Sequence, residues 1–288
     1  MTGDYLETLR ERIEQIKKRR PAYGPLLDFY QEIRTKQHEV KTSLRVEPLV
    51  LKKEWKDLLE KEGFPLVQKE DWPIDFEASI SLFRSLCEVA KASNPKLSEE
   101  VKKIEETLES QVWDLKELLR KGLREKKVEK VAARFRLDAK ILLFLLRETI
   151  RPSVELTVSR IREELPTEKE LKGTCPICGS QPSISLLREE TGKRYLYCGE
   201  CGYSWHVNRV GCPYCHNKDP QTLHYIFAEG EENCRVDLCD QCHSYFKTVD
   251  LRKMEVPDPL LEDIATIHLD LLAHQKGYKR PIPNPWTN

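Results

Sequence analysis

Four Cys-x-x-Cys pairs in the C-terminal third constrain this chain more than any other feature: Cys175/Cys178, Cys198/Cys201, Cys212/Cys215 and Cys239/Cys242. Two thiolates separated by two residues converge on one ion because the backbone between them turns back and aims amide protons at the sulfurs, and two such knuckles complete a tetrahedron. The pairs form two successive units, C-x2-C-x19-C-x2-C and C-x2-C-x23-C-x2-C. Each runs knuckle, strand, polar turn, strand, knuckle, aromatic strand, and Trp205 follows Cys201 as Phe246 follows Cys242. This correspondence marks an internal duplication and predicts one ligand set per unit: Cys175, Cys178, Cys198 and Cys201, then Cys212, Cys215, Cys239 and Cys242. Gly179 and Gly202 follow their second cysteines, where a positive φ eases the turn. Pro176 and Pro213 stiffen the loops between ligands. Four thiolates leave no open coordination position, so no hydrolytic centre and no catalytic residue is expected. Sulfur-only tetrahedral sites suit iron and zinc alike, and spacing does not separate the two.

Nine of the ten cysteines lie after residue 170, and a reducing compartment disfavours structural disulfides. The opening MTGDYLETLR has acidic residues early and no apolar core segment, which points to the cytoplasm. The longest aliphatic or aromatic run, residues 141–146, is six residues long, where a spanning helix needs about 20. Formal charge is zero over 288 residues, so charge names no polyanionic partner.

Three rival uses of the cysteines fit less well. CPYCH at 212–216 and CDQCH at 239–243 match the C-x-x-C-H pattern of haem attachment, but the other two pairs lack the histidine. His216 and His243 then read as surface or hydrogen-bonding residues. Thioredoxin-like chemistry wants one C-x-x-C at a strand-to-helix junction, whereas these pairs flank hairpins. A nucleic-acid-binding zinc ribbon wants a basic surface, yet residues 171–288 sum to −2, and two divalent tetrathiolate centres bring that to about −6. Tyr195, Tyr197, Tyr203 and Trp205 resemble a base-stacking stripe, but at alternate positions on short strands they read better as cover for the knuckles. Cys234 competes weakly with Cys239 as a ligand, and Cys87 sits in an apolar stripe as a packed thiol.

Residues 1–168 read as helix with short connectors. Phe76, Ile80, Phe83, Cys87 and Ala90 share one helical face, with Asp75 as N-cap. A second stripe over 137–146 is expected to stop near Arg151-Pro152, and 4–19, 26–37 and 99–121 also look helical. The basic stretch 120–136 reads as a solvated helix face. After Pro166-Thr167 the texture turns to glycine, cysteine and β-rich runs at 183–187, 195–198, 223–228 and 245–249. Past Pro257-Asp258-Pro259, Leu260, Ile264, Ile267 and Leu271 predict one closing helix before the tail PIPNPWTN. The expected fold is α+β and multidomain: an all-α domain over 1–168, tandem tetrathiolate ribbons over 171–210 and 211–253, and a C-terminal helix and tail over 257–288.

Several sequence runs lie among and beyond the knuckles: CPICGS, RYLYC, WHVNRVGC, LHY, CDQC with Tyr245 and Lys247, LEDIATIHLD, GYKR and NP. Taken in order from about residue 174 to 285, these closely resemble the family of formate dehydrogenase accessory protein FdhE. Over 1–168 the similarity is one of size and helical character. The resemblance implies a cytoplasmic, non-catalytic maturation factor that binds the catalytic subunit of a molybdenum- or tungsten-containing formate dehydrogenase, often one destined for twin-arginine export. It also implies two rubredoxin-like iron sites on the eight paired cysteines. The chain departs from the family pattern at Glu262-Asp263, where a pair of aspartates is usual, at Asp237, where glutamate is common, and at NPW, where NPF is usual. The alternatives are a rubredoxin-like electron carrier or thiol-redox protein and, third, the nucleic-acid-binding ribbon.

Overall fold

A computed structural model of the chain describes residues 2–51, 53–121, 125–165, 173–252 and 258–287. The described residues form α1 (Thr2–Arg19), α2 (Gly24–Lys41), α3 (Lys53–Glu62), α4 (Phe76–Ser93), α5 (Pro95–Glu109), α6 (Leu115–Lys121), α7 (Glu125–Phe135) and α8 (Ala139–Ile161). Six strands follow: β1 (Ile184–Arg188), β2 (Lys193–Tyr197), β3 (Ser204–Val207), β4 (Leu223–Ile226), β5 (Cys234–Cys239) and β6 (Ser244–Asp250). Two helices, α9 (Pro259–Ala265) and α10 (Ile267–Gln275), end the order. The expected α+β architecture is therefore present: a helical N-terminal region, then a sheet carrying two four-cysteine groups, then C-terminal helices.

The compact units cut across chain order. One comprises Met1–Tyr23, Leu51–Leu66 and Glu164–Asn288; the other comprises Gly24–Val50 and Val67–Glu163. Helix α1, assigned by sequence to 1–168, thus groups with the cysteine-bearing part. Ion pairing explains this: Arg12 of α1 grips Glu262 of α9 through Nε at 2.7 Å and a second nitrogen at 2.8 Å, and the Tyr5 hydroxyl donates to Asp258 at 3.2 Å. The junctions expected at Pro166-Thr167 and Pro257 lie outside the described residues.

The helical unit packs α2 and α8 against α4 around Leu27, Tyr30, Ile33, Phe83, Leu86, Cys87, Leu142 and Leu145. Asp75 caps α4 as expected, accepting from the Ala78 amide at 3.1 Å. The Cys87 thiol is fully buried, and burial pushes its pKa up to about 12. Helix α7 buries Val128 and Ala132 and exposes Lys126, Lys130 and Arg134, so its described basic residues form a solvated face. The helix expected over 99–121 is two helices. Gln111 takes a φ of +53°, Trp113 donates back to the Thr107 hydroxyl at 3.1 Å, and Asp114 accepts from the Lys116 amide at 2.8 Å, restarting the helix.

Helix α8 does not stop at Pro152 but runs through it to Ile161. Proline cannot donate to the Glu148 carbonyl one turn earlier. The Gln37 side-chain amide donates to that carbonyl instead, at 2.7 Å, and to the Glu148 carboxylate at 2.9 Å. The orphaned acceptor is satisfied from α2, and the helix continues.

In the other unit the two ribbons share one six-stranded sheet in the order β3-β2-β1-β6-β5-β4. Each ribbon is an antiparallel three-strand meander, and the two meet where β1 pairs parallel with β6, Leu186 opposite Val249. The closing helix is also two helices. The Thr266 hydroxyl donates back to the Glu262 carbonyl at 2.7 Å, and Lys247 Nζ donates to the Asp263 carbonyl at 2.6 Å, a group that would otherwise accept within a continued helix. Among the described residues no helix is long and apolar enough to cross a membrane.

Candidate metal centres

The four knuckles have one geometry. The amides of Cys175, Cys198 and Cys212 each donate to the carbonyl five residues on, at Ser180, Tyr203 and Asn217, and Cys239 pairs with Ser244 in the β5–β6 ladder. The residue after the second cysteine is left-handed every time: Gly179 at φ +73°, Gly202 at +77°, His216 at +61° and His243 at +51°. The two histidines, expected as surface or hydrogen-bonding groups, therefore occupy the turn position that the first unit gives to glycine.

These turns bring the eight cysteines into two groups, Cys175, Cys178, Cys198 and Cys201, and Cys212, Cys215, Cys239 and Cys242, with the sulfurs in each within 4.8 Å of one another. Facing sulfurs lie 3.6 Å (Cys175–Cys201), 3.5 Å (Cys178–Cys198), 3.7 Å (Cys212–Cys242) and 3.6 Å (Cys215–Cys239) apart. A disulfide would need about 2.05 Å. A tetrahedron with metal–sulfur bonds of about 2.3 Å has edges of about 3.8 Å. Each group is therefore the right size to hold one metal ion, and the described residues contain two such groups.

Electrostatics within the groups separates the thiols, favouring the thiolate at Cys178 and Cys239 and disfavouring it at Cys198, Cys201, Cys212 and Cys215. The thiols of Cys175, Cys198 and Cys201 hydrogen-bond Cys178 and hold it far below the usual thiol range. Burial, with the neighbouring thiols of Cys175, Cys178 and Cys198, pushes Cys201 up. In the second group burial opposes ionisation of Cys239, but the Asn217 side-chain amide and the Cys242 backbone amide outweigh it and bring the thiol down to about 7. The buried Asn217 lies 3.6 Å from Cys239 Sγ and also donates to the Thr222 hydroxyl at 2.7 Å. Sequence reasoning missed this residue, since a lone asparagine after a knuckle carries no signal of its own.

Cys234 belongs to neither group: it opens β5, buried beside Arg12 and Glu262, and burial lifts its thiol to about 12. The aromatic stripe is not a free stacking surface. Trp205 and Tyr197 are buried, and Tyr203 lies parallel to Trp205 with centroids 6.4 Å apart.

The remaining signature residues assemble into one buried ionic cluster between β6 and the C-terminal segment. Lys247, only 1% exposed, reaches Asp263 and Asp270 at 2.7 Å each. Arg280 forks onto Asp263 at 3.0 and 2.6 Å and donates to the Ser183 carbonyl at 2.6 Å. Asn284 adds a bond to Asp263 at 3.1 Å, and the Tyr245 hydroxyl bonds Asp270 at 2.9 Å. Burial disfavours the Asp263 carboxylate, but Arg280 and Lys247 overcome it and hold its pKa below the usual range. Two cations and two carboxylates balance, as buried charges must.

Comparison with known proteins follows the same division. The FdhE central domain matches residues 174–209 and the FdhE C-terminal domain matches residues 210–287. The boundary falls between the two cysteine groups, so each domain carries one. The cysteine-bearing segment, residues 174–287, is thus similar to the FdhE family in both of its domains. An FdhE homologue of Aquifex aeolicus (strain VF5) is 25% identical over 272 residues, 93% of this chain and 90% of that protein. One from Shewanella oneidensis is 33% identical over 132 residues, 45% of this chain and 42% of that protein. The crystal structure of the FdhE protein from Pseudomonas aeruginosa shares the fold, with a TM-score of 0.68 at 21% identity over 98% of this chain and 95% of that one.

Proposed function

We propose that this chain is a cytoplasmic, non-catalytic accessory factor that docks onto the catalytic subunit of formate dehydrogenase and supports assembly of the active enzyme. The observation that carries the reading is the joint match of both FdhE domains to a segment whose two cysteine groups have tetrahedral size and no open ligand position. The eight paired cysteines are the ligands in this reading, iron being favoured over zinc by the family resemblance. Metal held there stabilises a surface rather than activating water, which suits a docking role. The ribbons, the C-terminal helix and tail, and the helical segment 1–168 are the functional parts of the chain in this view.

The test is capture of the catalytic subunit by the tagged chain when both are co-produced without oxygen. Retention of the subunit, in either redox state of the metal, is expected. Replacing Cys175 with serine should remove the first centre's metal and abolish capture; a stable, loaded wild-type chain that retains no subunit would sink the reading.

A further inference from the structure

The two cysteine groups are alike in sulfur geometry and unlike in enclosure. All four cysteines of the first are buried, whereas Cys215 and Cys242 of the second are partly exposed. The first group has covers that account for this. The Leu66 amide donates to the Pro176 carbonyl, inside the first knuckle, at 3.0 Å. Pro65 packs against Gly179, and Leu260 and the Ser183 hydroxyl close over Gly199 in the second knuckle. The second group has a strap, where the Lys279 amide donates to the His243 carbonyl at 2.8 Å and Tyr278 bonds Asp240 at 2.5 Å. That strap reaches the fourth knuckle but leaves Cys215 and Cys242 partly exposed.

The turns differ in the same sense. In the first group glycine fills both left-handed positions without strain, while His216 and His243 in the second carry a Cβ there, which that backbone region disfavours. Knuckles that are both strained and open to water separate from the metal more often, because local opening is governed by burial and local stability. Ligand exchange at a tetrathiolate ion needs one thiolate to leave, and a thiolate that water or a competing ligand can reach leaves first.

We propose that Cys212, Cys215, Cys239 and Cys242 form the exchangeable centre of the pair, gaining and losing metal through Cys215 and Cys242, while Cys175, Cys178, Cys198 and Cys201 form a locked structural centre. The inference rests on the reading that both groups hold metal. The acceptor or donor it fits is a soft, thiolate-bearing or chelating molecule able to approach the open edge.

The experiment uses the full chain loaded with zinc, whose stoichiometry is measured first. Challenge with a chromogenic chelator plus iodoacetamide should release one equivalent at least ten times faster than the other. In that reaction the Cys215 or Cys242 sulfur forms a carbon–sulfur bond, iodide leaves, the thioether no longer binds, and the zinc passes to the chelator. Peptide mapping should find the early label on Cys215 and Cys242, with Cys87 and Cys234 as buried controls. A Cys215→Ser chain should keep one zinc that leaves at the slow rate. If that variant fails to fold, the wild-type label map decides alone. Two zinc ions released at one rate, or early label on Cys175, Cys178, Cys198 or Cys201, would overturn the inference and leave the metal reading intact. A chain that cannot load two zinc ions removes both.

Discussion

At the position after the second cysteine of each knuckle, the backbone must turn left-handed, and the residue placed there sets how easily it does so. Histidine tolerates that region better than a β-branched residue but not as well as glycine. His216→Gly should therefore stabilise the second centre by roughly 0.5–1 kcal/mol and slow metal release from it by about two- to fivefold. Chelator kinetics on the zinc-loaded variant check this, and faster release would show that the imidazole itself contributes to the site. Gly179 and Gly202 were readable as turn residues because glycine announces its freedom. His216 and His243 were not, because C-x-x-C-H points first to haem, and a side chain's φ is invisible until the turn around it is known.

Among the elements, α8 shows how a helix survives its own breaker. Pro152 leaves the Glu148 carbonyl without an amide, and Gln37 supplies one from α2. Gln37→Leu would strand that buried carbonyl, while the Glu148 carboxylate keeps its bond from Arg151 Nε at 2.7 Å, and this should cost about 1–3 kcal/mol. Urea unfolding followed by helical circular dichroism measures it; a loss below 0.5 kcal/mol, roughly the effect of a neutral surface change, would contradict the account. Sequence located this helix from the stripe over 137–146 and misjudged only its end, because the compensating donor is more than a hundred residues away. The breaks at 110–114 and Thr266 were missed for the same reason: each is fixed by a side chain bonding to main chain or to another element, and apolar periodicity continues across it. The strands and knuckles were legible because paired cysteines and alternating residues are local signals. The parallel seam between β1 and β6 was not, since nothing in either strand names its partner.

For the molecule as a whole, the two four-cysteine groups are confined to one compact unit, and among the described residues the helical unit contains no such group. Removing both ions with a strong chelator should abolish amide-exchange protection across β1 to β6, since each structural tetrathiolate site supplies on the order of 10 kcal/mol of folding free energy. Protection in α4 and α8 should persist, and hydrogen-exchange mass spectrometry separates the two. Concerted loss from the helices would show that their stability depends on the metal as well. The buried cluster of Lys247, Asp263, Asp270 and Arg280 ties the C-terminal segment to the same sheet, so a signature scattered over some forty residues of sequence is one structural device. The parallel pairing of Ser185 with Thr248 also has a consequence for the nascent chain. When the first ribbon leaves the ribosome it can bind its ion, but its β1 edge must wait for β6, several seconds later at about 5–20 residues per second. Through that interval the ribbon presents an open strand edge, the kind of surface that invites pairing with another chain. Early metal loading secures the first knuckles without closing that edge, and the exposure ends only when the second ribbon arrives.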